Sequence, residues 1–319
     1  MKKKILSFKK QNPRTALLFQ ILFSICIFCL LFYFLPLSDI WNSIQLISFN
    51  IWISVFILFV LIHVIGALKW RILIRLGKAN LSVREAIRFY FAGLFANLFL
   101  PSLVGGDIVR AGMAMRSGRR KTGIIFGSLL DRLIDVFSLF LLVVCAGGLT
   151  HRKLINKTEH VITIAFIAFL LIAGGISFSL VFSPSKRIPK KIRFKIQRIR
   201  LGFRKLFKEP YYAVTGLCLS LIIQSGFVMI NTIIGKAMGI TLAYKVWFLT
   251  WPLAKISAML PLSFCGFGIR EAAFAGLLQP FGIRLSLAVA QSVVWETVII
   301  AGGIFGGILW KFLRKNIHN

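Results

Sequence analysis

Long apolar runs alternate with short polar connections along nearly the whole chain. Six of these runs are predominantly apolar over about 20 residues or more, the length that a helix needs to cross the hydrocarbon core of a bilayer. This pattern predicts an all-α polytopic membrane protein with about six transmembrane helices, folded as a single membrane domain over residues 1–319. The expected transmembrane helices cover residues 16–35, 49–68, 123–149, 161–182, 211–234 and 285–310.

Two further apolar segments are interrupted by proline and glycine at matching positions. Both carry the skeleton L-P-x4-G-x3-R, in which the first copy runs from Pro101 to Arg110 and the second from Pro261 to Arg270. The two copies are therefore offset by 160 residues at each matching position. A pair of broken apolar segments in corresponding halves of a membrane protein indicates the binding site of a transporter.

Basic clusters lie at both ends of the first interrupted segment, residues 84–121. Lys and Arg are concentrated in cytoplasmic loops, so both ends are predicted to be cytoplasmic and the segment to be a re-entrant helical hairpin. Each half of the chain then has the order span, hairpin, span. Residues 49–149 and 209–310 are predicted to be inverted repeats, and two unrelated Pro-kinked spans are the alternative.

The connections also predict the orientation of the chain. The connection at residues 36–48 carries Asp39 as its one charged residue and is predicted to be an external loop. The second apolar run is followed by Lys69, Arg71, Arg75 and Lys78, which read as a cytoplasmic flank. By the same bias the N- and C-termini are both cytoplasmic.

Composition narrows the class of protein. Hydrophobic residues make up 58% of the 319 and the mean hydropathy is +0.84, so a soluble protein is excluded. The chain carries 40 Lys and Arg against 9 Asp and Glu, a net charge of +31. These charges lie in the gaps between apolar runs and not on one face with stacking aromatics, so nucleic-acid binding is not expected.

Residues 183–208 are rich in Lys and Arg, and their apolar positions recur at helical spacing. This pattern predicts a basic amphipathic cytoplasmic helix that lies in the headgroup plane and attracts anionic lipid. The helix is either an anchor that fixes the topology or a surface that recruits lipid.

Arg110 and Arg270 follow the glycine turns, where new helical stretches begin. A helix N-terminus offers unpaired N–H groups, and a nearby guanidinium adds bidentate donors that suit phosphate. The alternative is a neutral pair, Arg110 with Asp107 and Arg270 with Glu271, that only holds each hairpin together. The candidate substrate-binding residues are Asn97, Pro101, Gly105, Gly106, Asp107, Arg110, Gly266, Gly268, Arg270 and Glu271.

A second charged group, Asp131, Arg132, Asp135 and Glu296, lies in the middle of predicted spans. The i, i+3 spacing predicts that Arg132 pairs with Asp135. Acids at this depth either relay protons or bind a coupling ion, or they form a structural clamp, and the sequence leaves both roles open. No spacing typical of metal ligands or of a cofactor motif is present, so neither a metal nor a cofactor is expected.

Three blocks resemble the lysylphosphatidylglycerol synthase transmembrane-region family over nearly the whole chain: N-L-F-L-P-S-L-V-G-G-D-I-V-R, L-L-D-R-L-I-D and P-L-S-F-C-G-F-G-I-R-E. The resemblance implies a flippase-like protein of the bacterial cell inner membrane. Its signature positions correspond to Pro101, Gly105, Gly106, Asp107, Arg110, Asp131, Arg132, Gly266, Gly268, Arg270 and Glu271. In the full synthases a soluble aminoacyl-transferase domain follows this region. The sequence ends at Asn319 without one, so lysyl transfer is not expected.

We therefore expect a transporter, not an enzyme, that moves an anionic, phosphate-bearing lipid or lipid-linked precursor between leaflets by alternating access. One alternative is an integral-membrane lipid-modifying enzyme that uses Asp107 or Glu271 as acid or base. The other is a scaffold for a lipid glycosyl- or aminoacyltransferase. Besides membrane lipids, the candidate partners are a second copy of the chain and a soluble lipid-modifying transferase.

Overall fold

The computed structural model of the chain describes residues 37–100, 105–148, 206, 208–259 and 268–315. Regular structure within these residues is entirely helical, as the hydrophobic pattern predicts. The α-helices are α1 (Leu37–Gln45), α2 (Phe49–Leu76), α3 (Val83–Ala96), α4 (Gly105–Arg116), α5 (Lys121–Gly148), α6 (Pro210–Ala237), α7 (Tyr244–Ser257), α8 (Ile269–Leu278) and α9 (Leu285–Lys315), with a 3₁₀ turn at Gln279–Phe281. The predicted spans 16–35 and 161–182, most of the basic helix 183–208, and the breaks at Pro101 and Gly266 lie outside the described residues.

Three of the described helices, α2, α6 and α9, are long and apolar enough to cross a membrane. Helix α5 has 28 residues, as many as α2, but it carries Asp131, Arg132 and Asp135 in its middle. The helices on either side of each break are shorter, with 14 residues in α3 and 14 in α7. The fold therefore combines long apolar helices with two pairs of short helices.

The structure differs from the sequence predictions at two connections. Residues 37–45, part of the connection predicted to be an external loop, form helix α1, which packs against α9. Helix α2 continues through Lys69 to Leu76, whereas the apolar run was expected to end at residue 68. Lys69 is consequently buried inside the protein and does not belong to the cytoplasmic flank.

Helices α2 and α6 form an antiparallel pair at the centre of the molecule. The Leu73 side chain packs on Gly216 and that of Ile62 packs on Gly226. The Phe59 and Phe227 rings meet with their centroids 6.2 Å apart. Residues later in α2 thus contact residues earlier in α6, so the two helices run in opposite directions.

Each pair of short helices packs against the long helix that closes the other half of the chain. Helices α3 and α4 pack on each other, as do α7 and α8, while α3 lies against α9 and α7 against α5. Glycines allow the α3–α9 contact to be close, because a methyl group on Gly306 would lie 2.7 Å from the Phe91 carbonyl oxygen. Small residues at helix interfaces are typical of membrane proteins.

Exposed apolar side chains form stripes on the outer faces of the long helices. On α2 they recur every four residues, at Phe49, Ile53, Ile57 and Leu61. On α9 the same spacing occurs at Ile300, Ile304, Ile308 and Phe312. Such stripes suit a hydrocarbon solvent, in which apolar side chains need no burial against protein.

Candidate functional site

Helices α3 and α4, the pair proposed to form the first hairpin, contact each other where α3 ends and α4 begins. The Asn97 side-chain oxygen accepts a hydrogen bond of 2.7 Å from the Gly106 N–H, one of the donors that a helix N-terminus leaves without an intrahelical partner. A methyl group on Gly106 would lie 2.2 Å from the Gly93 carbonyl oxygen, so the two helices approach backbone to backbone at this point. Only glycine fits at Gly106 without moving one of the helices.

Arg110 projects from α4 into a buried, charged environment. Its Nη2 lies 3.1 Å from the Asp107 carboxylate and donates a 2.6 Å hydrogen bond to that of Asp131 on α5. The Arg110 Cζ lies 5.0 Å from the centroid of the Trp70 ring and 5.0 Å from that of the Tyr90 ring, so the cation also interacts with aromatic faces. The predicted Arg110–Asp107 pair is therefore present, and it is extended by a second acid.

Lys69 joins helix α2 to both acids of helix α5. Its Nζ lies 3.0 Å from Asp131 Oδ1 and also contacts Asp135 Oδ1. Asp135 Oδ1 further accepts a 2.5 Å hydrogen bond from Ser220 on α6. Acids and cations thus alternate through the centre of the protein, and each buried carboxylate has a cationic partner.

Arg132 on α5 forms an ion pair with Asp107 on α4, a contact that its spacing does not predict. Asp135, the partner that the spacing predicts, contacts Lys69. The Arg132 side chain is 36% exposed, against 15% for that of Asp107. Arg132 is therefore more accessible than Lys69 and Arg110, the buried cations of the same network.

A cavity of about 140 Å³ opens between the first hairpin and helices α2, α5, α6 and α7. Its principal lining residues are His63, Lys69, Tyr90, Asn97, Gly106, Asp107, Arg110, Asp131, Arg132, Asp135, Gln224, Phe227 and Lys255. Most of the candidates from the first half of the sequence are therefore brought together in one place. Gly105, at the start of α4, instead packs against the Leu100 side chain.

The candidates from the second half form a separate cluster around the start of α8. Gly268 has a φ of +85°, which favours glycine, and its N–H donates a 2.6 Å hydrogen bond to Glu271 Oε2. Arg270 donates to Glu271 Oε1 at 2.8 Å and contacts Glu296 on α9. None of these four residues is among those that line the central cavity. We expected Arg110 and Arg270 to face one cavity. Of these two residues, Arg110 lines the central cavity and Arg270 does not.

Sequence reasoning missed the site role of three basic residues that line the cavity, Lys255, His63 and Lys69. Lys255 on α7 donates a 2.8 Å hydrogen bond to the Gln224 side chain and lies 4.2 Å from the centroid of the Phe227 ring. His63 and Lys69 both lie on α2, and the buried Nδ1 of His63 has no hydrogen-bond partner in the described part of the chain. The available signal was a lone ionisable residue inside each apolar run, which is costly in a membrane and indicates function by default.

The chain matches the model of the family described as "Lysylphosphatidylglycerol synthase TM region" over residues 17–307, and it belongs to that family. Membership, together with the long apolar helices, identifies a multi-pass membrane protein linked to lipid metabolism. No curated protein and no solved structure matches the chain.

Proposed function

We propose that this member of the lysylphosphatidylglycerol synthase transmembrane-region family moves an anionic, phosphate-bearing lipid, or a lipid-linked precursor, between the leaflets of a bacterial inner membrane. The headgroup enters the central cavity while its apolar tail stays in the bilayer. The observation that carries the proposal is the excess of basic over acidic side chains in the cavity lining, where Lys255 has no carboxylate partner among the described residues.

The balance of charge in the lining favours an anion. Four cationic side chains face three acids, and the acids are Asp107, Asp131 and Asp135. These three are engaged by the arginines and by Lys69. Among the described residues, Lys255 has an amide and an aromatic ring as its partners but no carboxylate. A phosphate held between Lys255 and Arg132 would supply the missing negative charge through charge-assisted hydrogen bonds.

The unpartnered Nδ1 of His63 also supports a polar ligand. Buried polar atoms normally have a hydrogen-bond partner, and one that lines a cavity without a protein partner is suited to a ligand or to water. Because the acids of the cavity are held in ion pairs, the site is better suited to binding than to acid–base chemistry. The protein is accordingly proposed to be a transporter and not an enzyme.

The arrangement of the helices supports two inverted repeats that each contain a re-entrant hairpin. Moving α2 and α3 forward by 160 residues gives ranges within one residue of α6 and α7. The antiparallel packing of α2 on α6 is what an axis in the membrane plane would produce. A helix of 14 residues rises about 21 Å, less than the roughly 30 Å of the hydrocarbon core, so α3 and α7 suit hairpins that enter and return.

Alternating access then follows from rocking one half against the other around the cavity. In this arrangement both termini and residues 183–208 lie on the cytoplasmic side, where their basic residues meet anionic lipid. Partners such as a second copy of the chain or a soluble lipid-modifying transferase would bind on the same side.

The test is lipid translocation in proteoliposomes that contain purified protein. A fluorescent phosphatidylglycerol should reach the inner leaflet faster than in empty vesicles, and a fluorescent phosphatidylcholine should not. The variant Lys255→Met should lose about 10- to 100-fold in rate, because a hydrogen bond to a charged group contributes roughly 1.5–3 kcal/mol. Lys255→Arg should retain part of the activity.

The matched control is Lys121→Met, which removes an exposed charge at the start of α5. It should translocate lipid at the wild-type rate. The proposal is wrong if no anionic lipid moves faster than in empty vesicles, or if Lys255→Met and Lys121→Met are equally active.

A further inference from the structure

A second depression lies away from the central cavity, where α3 begins and where α4 and α9 end. Its volume is about 430 Å³. Phe89, Met113 and Trp310 provide its apolar surface, and Arg88 and Arg116 provide two cations. We call this depression the terminal groove. It combines an apolar wall with positive charge in the manner of a site for an amphipathic anion.

The lining of the groove contains one acidic residue, Glu85, and two arginines. Glu85 accepts a 2.8 Å hydrogen bond from the Ser82 N–H and forms an ion pair with Arg119 at 3.3 Å. Burial raises the pKa of Glu85, but the hydrogen bonds from Ser82 and Arg119 outweigh it and leave the pKa below its usual value. Glu85 therefore stays ionised and is engaged on the side of Arg119, and the lining keeps a net positive charge.

Trp310 indicates at which level of the membrane the groove lies. It lies near the end of α9 and is followed directly by Lys311. Tryptophan and basic residues concentrate at the membrane–water interface, where an indole is apolar on one side and a donor on the other. The buried Nε1 of Trp310 has no hydrogen-bond partner in the described part of the chain. The groove thus lies at headgroup level and carries an unused donor.

We propose that the terminal groove binds an anionic phospholipid from the surrounding leaflet, with its phosphate between Arg88 and Arg116 and an acyl chain against Phe89, Met113 and Trp310. The sign of the charge argues against the basic segment 183–208 of the same chain as the occupant, because it would be repelled. This lipid is bound and not transported. The site shares no lining residue with the central cavity and does not depend on the proposed function.

Quenching of tryptophan fluorescence by brominated lipid tests the proposal. Full-length protein is reconstituted in phosphatidylcholine vesicles that contain brominated phosphatidylglycerol or, separately, brominated phosphatidylcholine. The Trp310 signal is the difference between wild type and Trp310→Phe. Phosphatidylglycerol should quench this signal preferentially, with roughly a fivefold preference for each arginine, the equivalent of about 1 kcal/mol per basic residue.

The double variant Arg88→Gln/Arg116→Gln should lose the preference and quench equally with both lipids. Arg116→Gln alone is the second variant, because Arg116 is exposed on the last turn of α4 and its loss should not affect folding. It should lose about fivefold of the preference. Arg284→Gln removes an exposed cation before the start of α9, at the opposite end of that helix, and should keep the full preference. Equal quenching of wild type by both lipids, or an unchanged preference in Arg116→Gln, would overturn the proposal.

Discussion

Lys69 is the residue on which the stability of the charged centre depends most. It is 2% exposed and lies between Asp131 and Asp135, so Lys69→Met would leave a buried carboxylate without its cation. Breaking a buried ion pair in this way typically costs 3–5 kcal/mol, far more than the pair contributes in net terms. We therefore expect a large fall in the thermal unfolding temperature of the variant in detergent.

Adding Asp135→Asn to Lys69→Met should restore part of the loss, because Asp131 keeps its ion pair with Arg110 and the double variant removes the carboxylate that has lost its lysine. The exposed Lys121→Met serves as the control and should unfold at the wild-type temperature. Unfolding of Lys69→Met at the same temperature as this control would mean that the two acids do not need the lysine.

At the level of residues, the sequence predicted contacts that are local and missed those that are not. The Asp107–Arg110 pair follows from its i, i+3 spacing along one helix, and the Arg270–Glu271 pair joins neighbouring residues of the chain. The Lys69–Asp135 and Arg132–Asp107 pairs join different helices, so they depend on how those helices pack. A pattern along one chain carries no direct information about such packing.

At the level of elements, the glycines of the first hairpin fix the distance between α3 and α4. A methyl group on Gly106 would lie 2.2 Å from the Gly93 oxygen and 2.6 Å from the Asn97 Oδ1, and the nearest of these atoms is backbone. Gly106→Ala should therefore destabilise the protein by on the order of 1–3 kcal/mol, as overpacking does. It should also slow lipid translocation, since Asn97 lines the cavity.

Gly112, six residues later in the same helix, is the matched control. A methyl group there meets no atom within 4 Å, so Gly112→Ala should stabilise the helix by roughly 0.5–1 kcal/mol. Thermal unfolding of both variants in detergent separates the effect of replacing a helical glycine by alanine from the effect of a steric clash with the neighbouring helix. Equal shifts in the same direction would contradict this explanation of the hairpin.

The lengths of the elements were predicted less well than their existence. The run that forms α2 was ended at residue 68 because Lys69 was taken as a flank, whereas the ion pairs of Lys69 let the helix continue to Leu76. Helix α1 was missed because its nine residues were taken as a connection between spans, although their apolar positions recur at helical spacing. The tertiary contacts of Lys69 thus override the local pattern in α2, whereas the local pattern of α1 was overlooked.

At the level of the whole molecule, two independent observations support the proposed inverted repeats, namely the 160-residue offset in the sequence and the packing of the helices. The offset comes from Pro, Gly and Arg positions, while the antiparallel contact of α2 with α6 comes from apolar residues that those motifs do not include. In both halves an arginine of the second hairpin helix also pairs with an acid on the long helix that follows, Arg110 with Asp131 and Arg270 with Glu296. This correspondence between the ion pairs of the two halves supports the proposed inverted repeats, although the other partners of the two arginines differ.

The inverted arrangement can be tested by asking which side of the membrane each corresponding connection faces. Asn80 lies in the exposed connection between α2 and α3, and Thr241 lies in that between α6 and α7. Because α2 and α6 are antiparallel, the ends that lead into these connections lie at opposite faces of the protein.

In a cysteine-free background and right-side-out vesicles, a membrane-impermeant maleimide should label Thr241→Cys at once. It should label Asn80→Cys only after the vesicles are permeabilised, since Lys and Arg around that connection favour the cytoplasmic side. Labelling of both cysteines from the same side would contradict the inversion and, with it, the alternating access that depends on two opposed hairpins.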